Sequence, residues 1–163
     1  MKIARSRSAL QSLVGAAQEA GQPIHFVPTM GALHPGHLAL VAAAQAQGAQ
    51  VVVSIFVNPT QFNQAEDLAK YPRQEAADLA ALSVFDSLVV FLPDTATIYE
   101  TGTTQLEHYD LGNLETIWEG AHRPGHFQGV CQVVSRLLKL VEPHVVFLGQ
   151  KDFQQCLVLE KMM

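Results

Sequence analysis

The stretch Ile24-His-Phe-Val27 followed by Pro28-Thr-Met-Gly-Ala-Leu-His-Pro-Gly-His37 decides the fold. An apolar, β-branched run gives way to a glycine-containing loop, and a helix-like segment over 38–47 comes directly after. A strand that passes through such a loop into a helix start leaves several backbone N–H groups to point outward, with the helix dipole behind them. Such a place attracts phosphate. Gly31 and Gly36 keep side chains away from a close ligand, and the imidazoles of His34 and His37 add donors for a charged oxygen. His-x-x-His alone also fits a tight turn with two solvent-facing histidines or a metal pair. The strand, loop and helix around it favour the phosphate reading.

Outward from this stretch the same alternation repeats. Further apolar runs at 51–57, 88–92 and 145–148 are each closed by Pro, Asn or Gly and predict buried parallel strands with the first at 24–27. Helical patterns fill 8–20, 38–47, 66–82 and 130–141, and the last places Val130, Val134, Leu137, Leu138 and Val141 on one face. The expected architecture is α/β, a Rossmann-like open parallel sheet with helices on both faces, with ligands held beyond the carboxyl ends of the strands. Residues 101–118 lack a clear period and read as a loop or short hairpin excursion, Trp118 reads as a packing residue, and 153–163 reads as a helix without a stop signal.

The chain has 163 residues, enough for one well-buried domain. It is 48% hydrophobic and 15% charged, and no window holds the roughly 18 uninterrupted apolar residues of a membrane span. Lys2, Arg5 and Arg7 are followed by neither an apolar segment nor a small-residue cleavage site, so the cytoplasm is the expected compartment. A net charge of −5 argues against a broad nucleic-acid surface. Cys131 and Cys156 stand apart in apolar helical patterns, as buried reduced thiols do.

Three further loops carry candidate chemistry. In Ser54-Ile-Phe-Val-Asn-Pro-Thr-Gln-Phe62, Asn58 and Gln61 are neutral amides placed to orient a hydroxyl or carboxylate, although Asn-Pro also simply turns a chain. In Gly149-Gln-Lys-Asp152, Lys151 suits a phosphate and Asp152 a sugar hydroxyl or a helix cap; Gln154 and Gln155 follow on the next turn. In 119–127, His122, Arg123 and His126 offer a second anionic contact.

Together, Pro28–His37, Ser54–Phe62, Arg123-Pro-Gly-His-Phe127 and Gly149-Gln-Lys-Asp-Phe-Gln-Gln155 closely resemble the pantoate–β-alanine ligase family. The first of these by itself resembles the wider nucleotidyltransferase superfamily with its His-x-Gly-His signature. The ligase resemblance implies ATP-dependent joining of pantoate and β-alanine through a pantoyl adenylate, with ATP as a magnesium-bound substrate and no tightly bound cofactor. It implies ATP contacts at Met30, Gly31, Ala32, Leu33, His34, Pro35, Gly36, His37, Gly149, Gln150, Lys151 and Asp152. His34 and His37 become the catalytic pair, His37 the proton donor; Gln61, Gln155 and Asn58 become ligands of pantoate or β-alanine, and no protein metal ligand is assigned. A homodimer is also implied, with small molecules rather than nucleic acid or membrane as partners. Gln150 stands where the family usually has Glu, which removes a charge beside Lys151. Family members continue through a further strand, a Ser-Ser-Arg loop and a smaller carboxy-terminal domain, so residues 1–163 correspond to the amino-terminal nucleotide-binding domain, an apparent truncation. Rival expectations are a non-catalytic ATP-binding module and another nucleotidyltransferase, such as a cytidylyltransferase.

Overall fold

The computed structural model describes residues 1–163. Five strands, β1 (Lys2–Ala4), β2 (Ile24–Thr29), β3 (Gln50–Ile55), β4 (Val89–Phe91) and β5 (Val145–Val146), form one sheet in the order β1-β4-β3-β2-β5. Every pairing is parallel. The α/β expectation holds, with one strand added: β1 pairs with β4 at the sheet edge, where a three-residue segment gives little periodic signal.

Successive strand residues face opposite sides, and the two cores divide accordingly. Phe26, Val52, Val89 and Phe91 pack with α1 (Arg7–Glu19) and α7 (His126–Val141). Val27, Val51, Val53 and Val90 pack instead with α2 (Pro35–Gln45) and with Leu82 of α4 (Glu75–Leu82). Burying both faces is what made the central strands read as continuous apolar runs. No helix is long and apolar enough to cross a membrane.

Two boundaries differ from expectation for local reasons. The single helix expected over 66–82 is broken into α3 (Ala65–Lys70) and α4, with Tyr71 extended at ψ 128 in front of Pro72. Proline lacks the N–H and crowds a helical predecessor. Residues 101–118 contain a 3-10 turn at Gly112–Glu115 and no hairpin, while α5 (Thr95–Ile98) starts on Asp94, whose carboxylate accepts from the Thr97 N–H at 2.7 Å. Trp118, at the start of α6 (Trp118–His122), corrects the packing expectation: it is 59% exposed, at φ 50. Cys131 is buried as expected and its thiol is pushed up to about 12, chiefly by desolvation, whereas Cys156 is only half-buried. The last helix, α8 (Phe153–Met162), follows the expected tail.

The topology fixes where a ligand can sit. From β2 the chain moves through β3 to β4 on one side, and β5 returns to the other side of β2. α2, which follows β2, covers one face, and α8, which follows β5, contributes Leu159 to the other. The connections diverge there. A crevice therefore opens beyond the carboxyl ends of β2 and β5, the position at which open α/β sheets hold ligands.

Candidate functional site

A cavity of about 1110 Å³ occupies that crevice. It is large enough for a nucleotide with a second small molecule beside it. His34 and His37 come to its wall from the β2 loop and the first turn of α2, Gln61 from the turn after β3, and Lys151, Asp152 and Gln155 from beyond β5. Met30, Gly31, Ala32, Gly36, Asn58, Gly149 and Gln150 also line it. Leu33 and Pro35 do not. Leu33 packs into the core beneath the loop, and Pro35 is the exposed first residue of α2, where its missing N–H costs nothing.

The loop amides correct the opening expectation. Instead of pointing outward, the Ala32 and Leu33 N–H groups donate to the carboxylate of Asp78 at 3.0 and 2.7 Å, and the Gly31 N–H reaches Thr29 Oγ1 at 3.3 Å. Asp78 is buried on α4 and was not among the candidates, because nothing local in the sequence ties it to a loop so far upstream. Gly31, at φ 83, leaves no room for more: a Cβ there would lie 2.9 Å from Asp78 Oδ2. An anion entering the crevice would meet side chains rather than these amides.

The two imidazoles cap α2 and thereby orient each other. His34 Nδ1 accepts from the Gly36 N–H at 3.1 Å, and His37 Nδ1 accepts from the His34 N–H at 3.3 Å. A neutral ring that accepts at Nδ1 carries its proton on Nε2, so each presents an Nε2–H donor. Their centroids are 4.0 Å apart. Burial, reinforced by the neighbouring His34, pulls His37 below the ordinary imidazole value. His37 therefore works as a neutral donor at pH 7. Lys151 and Asp152 are close enough to act on its charge, so the rings and the ammonium share one site.

Lys151 Nζ donates to Asp152 Oδ1 at 3.0 Å, and this contact raises the lysine further above its ordinary value. Asp152 is thereby engaged with the lysine and does not cap α8. Both side chains are exposed, so the ion pair is weak. Gln154, by contrast, is buried and structural: its amide accepts from the Glu119 N–H and donates to the carbonyls of Leu114 and Ile117. Arg123 and His122 reach the same cavity, with Arg123 held by Glu119 at 2.6 Å. His126 is buried behind them, its Nδ1 donating to the Gln61 carbonyl at 3.0 Å.

The model of the family described as pantoate-beta-alanine ligase matches residues 2–163. The chain belongs to the pantoate-beta-alanine ligase family. The pantothenate synthetases of Rhizorhabdus wittichii and Granulibacter bethesdensis are each 48% identical to it, over 161 and 162 residues. Each alignment covers 99% of this chain and 56% of the relative, so the chain spans a little over half the length of these ligases. The pantoate-beta-alanine ligase of Francisella tularensis, solved in complex with beta-gamma ATP and beta-alanine, superposes with a TM-score of 0.93 at 40% identity, over 99% of this chain and 61% of that one. The pantothenate synthetase of Thermus thermophilus gives 0.88 at 42% identity, over 99% and 56%.

Proposed function

We propose that the protein ligates pantoate to β-alanine at the expense of ATP, through a pantoyl-adenylate intermediate. Family membership supports the reaction class. The observation that carries the site assignment is the meeting of His34, His37 and Lys151 in one crevice with Gln61 and Gln155. In the first step a carboxylate oxygen of pantoate attacks the α-phosphorus of ATP, the bond to the bridging oxygen breaks, and pyrophosphate leaves. The carboxylate is already ionised at neutral pH, so this step asks for alignment and for donors on the transferring group rather than for a base. The Nε2–H groups of His34 and His37 and the Lys151 ammonium are those donors. In the second step the amine of β-alanine attacks the acyl carbon, AMP departs with the bond electrons, and the amine loses a proton.

Met30, Gly31, Ala32, His34, Gly36 and His37 with Gly149 to Asp152 form the ATP side of this reading, and Gln61, Gln155 and Asn58 the pantoate and β-alanine side. In this reading magnesium arrives on the triphosphate, as a hard cation that keeps several waters and binds through substrate phosphates. The reading takes the working protein as a cytoplasmic homodimer, which light scattering tests.

Calorimetric titration of the 163 residues with magnesium and ATP, with and without pantoate, tests the binding half. ATP binding that tightens with pantoate is expected. Equal binding of CTP, or no effect of pantoate, rejects the assignment in favour of another nucleotidyltransferase. In the whole protein, pyrophosphate release that requires pantoate tests the chemistry, and ATP binding without it identifies a non-catalytic module.

A further inference from the structure

A chain of buried polar contacts runs from the end of α5 to the wall of the cavity. It begins at Tyr99, which is 3% exposed and lies outside the cavity. Its hydroxyl donates to Asn58 Oδ1 at 2.7 Å, the shortest of three bonds that oxygen accepts; the Thr60 N–H and hydroxyl supply the others at 3.4 and 3.2 Å. At its other end the Asn58 amide donates through Nδ2 to the Gly129 carbonyl at 3.0 Å and to Gln61 Oε1 at 3.1 Å. Gln61 Nε2 then faces Met30 Sδ at 3.0 Å.

Each link dictates the direction of the next. A carbonyl only accepts, so Gly129 takes the NH2 end of Asn58 and leaves Oδ1 for the phenol. Because Asn58 Nδ2 donates, Gln61 must offer its oxygen to it, and its own NH2 group is turned toward the cavity. There the partner is a thioether, a weak acceptor, which leaves that NH2 able to serve a stronger one. Burial pushes the Tyr99 hydroxyl above its ordinary value, so it holds its proton throughout the physiological range. Arg136 stacks over the phenol ring, Cζ 5.0 Å from the centroid, and is itself held by Glu107 at 2.7 Å. The ring has little freedom to turn away.

We infer that Tyr99 is a positioning residue that, through Asn58, sets Gln61 to present N–H rather than C=O, so that the site selects an acid substrate offering a carboxylate or hydroxyl oxygen there. This deepens the functional reading above and rests on it. It also gives Asn58 a different part: both polar atoms of its side chain are engaged inside the protein, and it acts on the substrate through Gln61.

Tyr99→Phe removes the hydroxyl and keeps the ring over which Arg136 stacks. Calorimetry should show the affinity for pantoate falling about tenfold with ATP affinity unchanged, the size expected for an orienting hydrogen bond. In a Gln61→Ala background the same substitution should add nothing, since the two residues act in series. Equal losses for both ligands, or additive losses in the double variant, would make Tyr99 a packing residue and overturn the inference. A wild-type chain that binds ATP but no pantoate sinks the functional reading itself, and this inference with it. A readout free of ligand separates the two: the nuclear Overhauser contact between the Gln61 amide protons and the Met30 methyl should weaken in Tyr99→Phe. Unchanged intensity rejects the relay, whatever the fate of the functional reading.

Discussion

Asp78 Oδ1 accepts the Leu33 N–H at 2.7 Å, joining α4 to the loop that follows β2. Its second oxygen takes the neighbouring Ala32 N–H, so one buried carboxylate fixes the curvature of the loop that carries both site histidines. Asp78→Ala leaves two amides without a partner. Urea unfolding should show a loss of about 2 to 3 kcal/mol. The affinity for ATP should drop in the same variant, while Asp78→Asn, with one acceptor left, should fall between. Full ATP affinity in a folded Asp78→Ala variant would show that the loop keeps its shape unaided.

His37→Ala removes an oriented donor and a cap of α2 together. In the whole protein, pantoate-dependent pyrophosphate release should slow by about 10²- to 10³-fold, the equivalent of roughly 3 to 4 kcal/mol of barrier. An unchanged rate of adenylate formation would remove His37 from the chemistry.

Gly129 lies where α7 meets the turn after β3. A Cβ there would come within 2.6 Å of Gln61 N and Cα, which are backbone-bound and cannot swing aside. Gly129→Ala should cost about 1 to 3 kcal/mol by thermal unfolding, as overpacking does, and weaken pantoate binding more than ATP binding. A neutral substitution would mean that the turn moves freely against the helix.

Acid should loosen the fold through imidazoles. His37 and His126 are both held below the ordinary value of 6.5, each chiefly by burial. A folded-state value below the unfolded one means that the unfolded chain binds more protons in the interval between them. Stability is therefore complete above pH 6.5 and declines as pH falls through 6.5 toward the folded values. Thermal midpoints between pH 7.5 and 5.5 should trace that decline, and His126→Gln should flatten it. An identical slope in the variant would place the sensitivity elsewhere.

Sequence made the central strands legible because double-faced burial writes continuous apolar runs, and it placed the loops after β2, β3 and β5 beyond the strand ends by the same logic. Pro72 was a visible break in the helix expected over 66–82, and the unbroken reading passed over it. Asp78 was invisible for a physical reason. Its hydrogen bonds are tertiary, and an Asp in the Ala- and Leu-rich α4 looks alike in sequence whether it faces water or a buried loop. That contact also accounts for the mistaken expectation of free amides, since a strand-to-helix loop shows its orphan donors in sequence but not the acceptor that another element brings. Asn58 and Gln61 stood out as polar residues after a strand; the Tyr99 hydroxyl behind them did not, because nothing in Thr97-Ile-Tyr-Glu-Thr101 shows that the phenol meets another loop.

β5 docks on β2 through only two registered pairs, His25 with Val145 and Phe26 with Val146. Yet this thin seam carries the Lys151 wall of the crevice against the imidazole wall. During synthesis His34 and His37 emerge well before their counterpart Lys151. A nucleotide spanning the gap would act as a clasp between β2 and β5, slowing amide exchange along β5 far more than in the already well-fastened middle of the sheet.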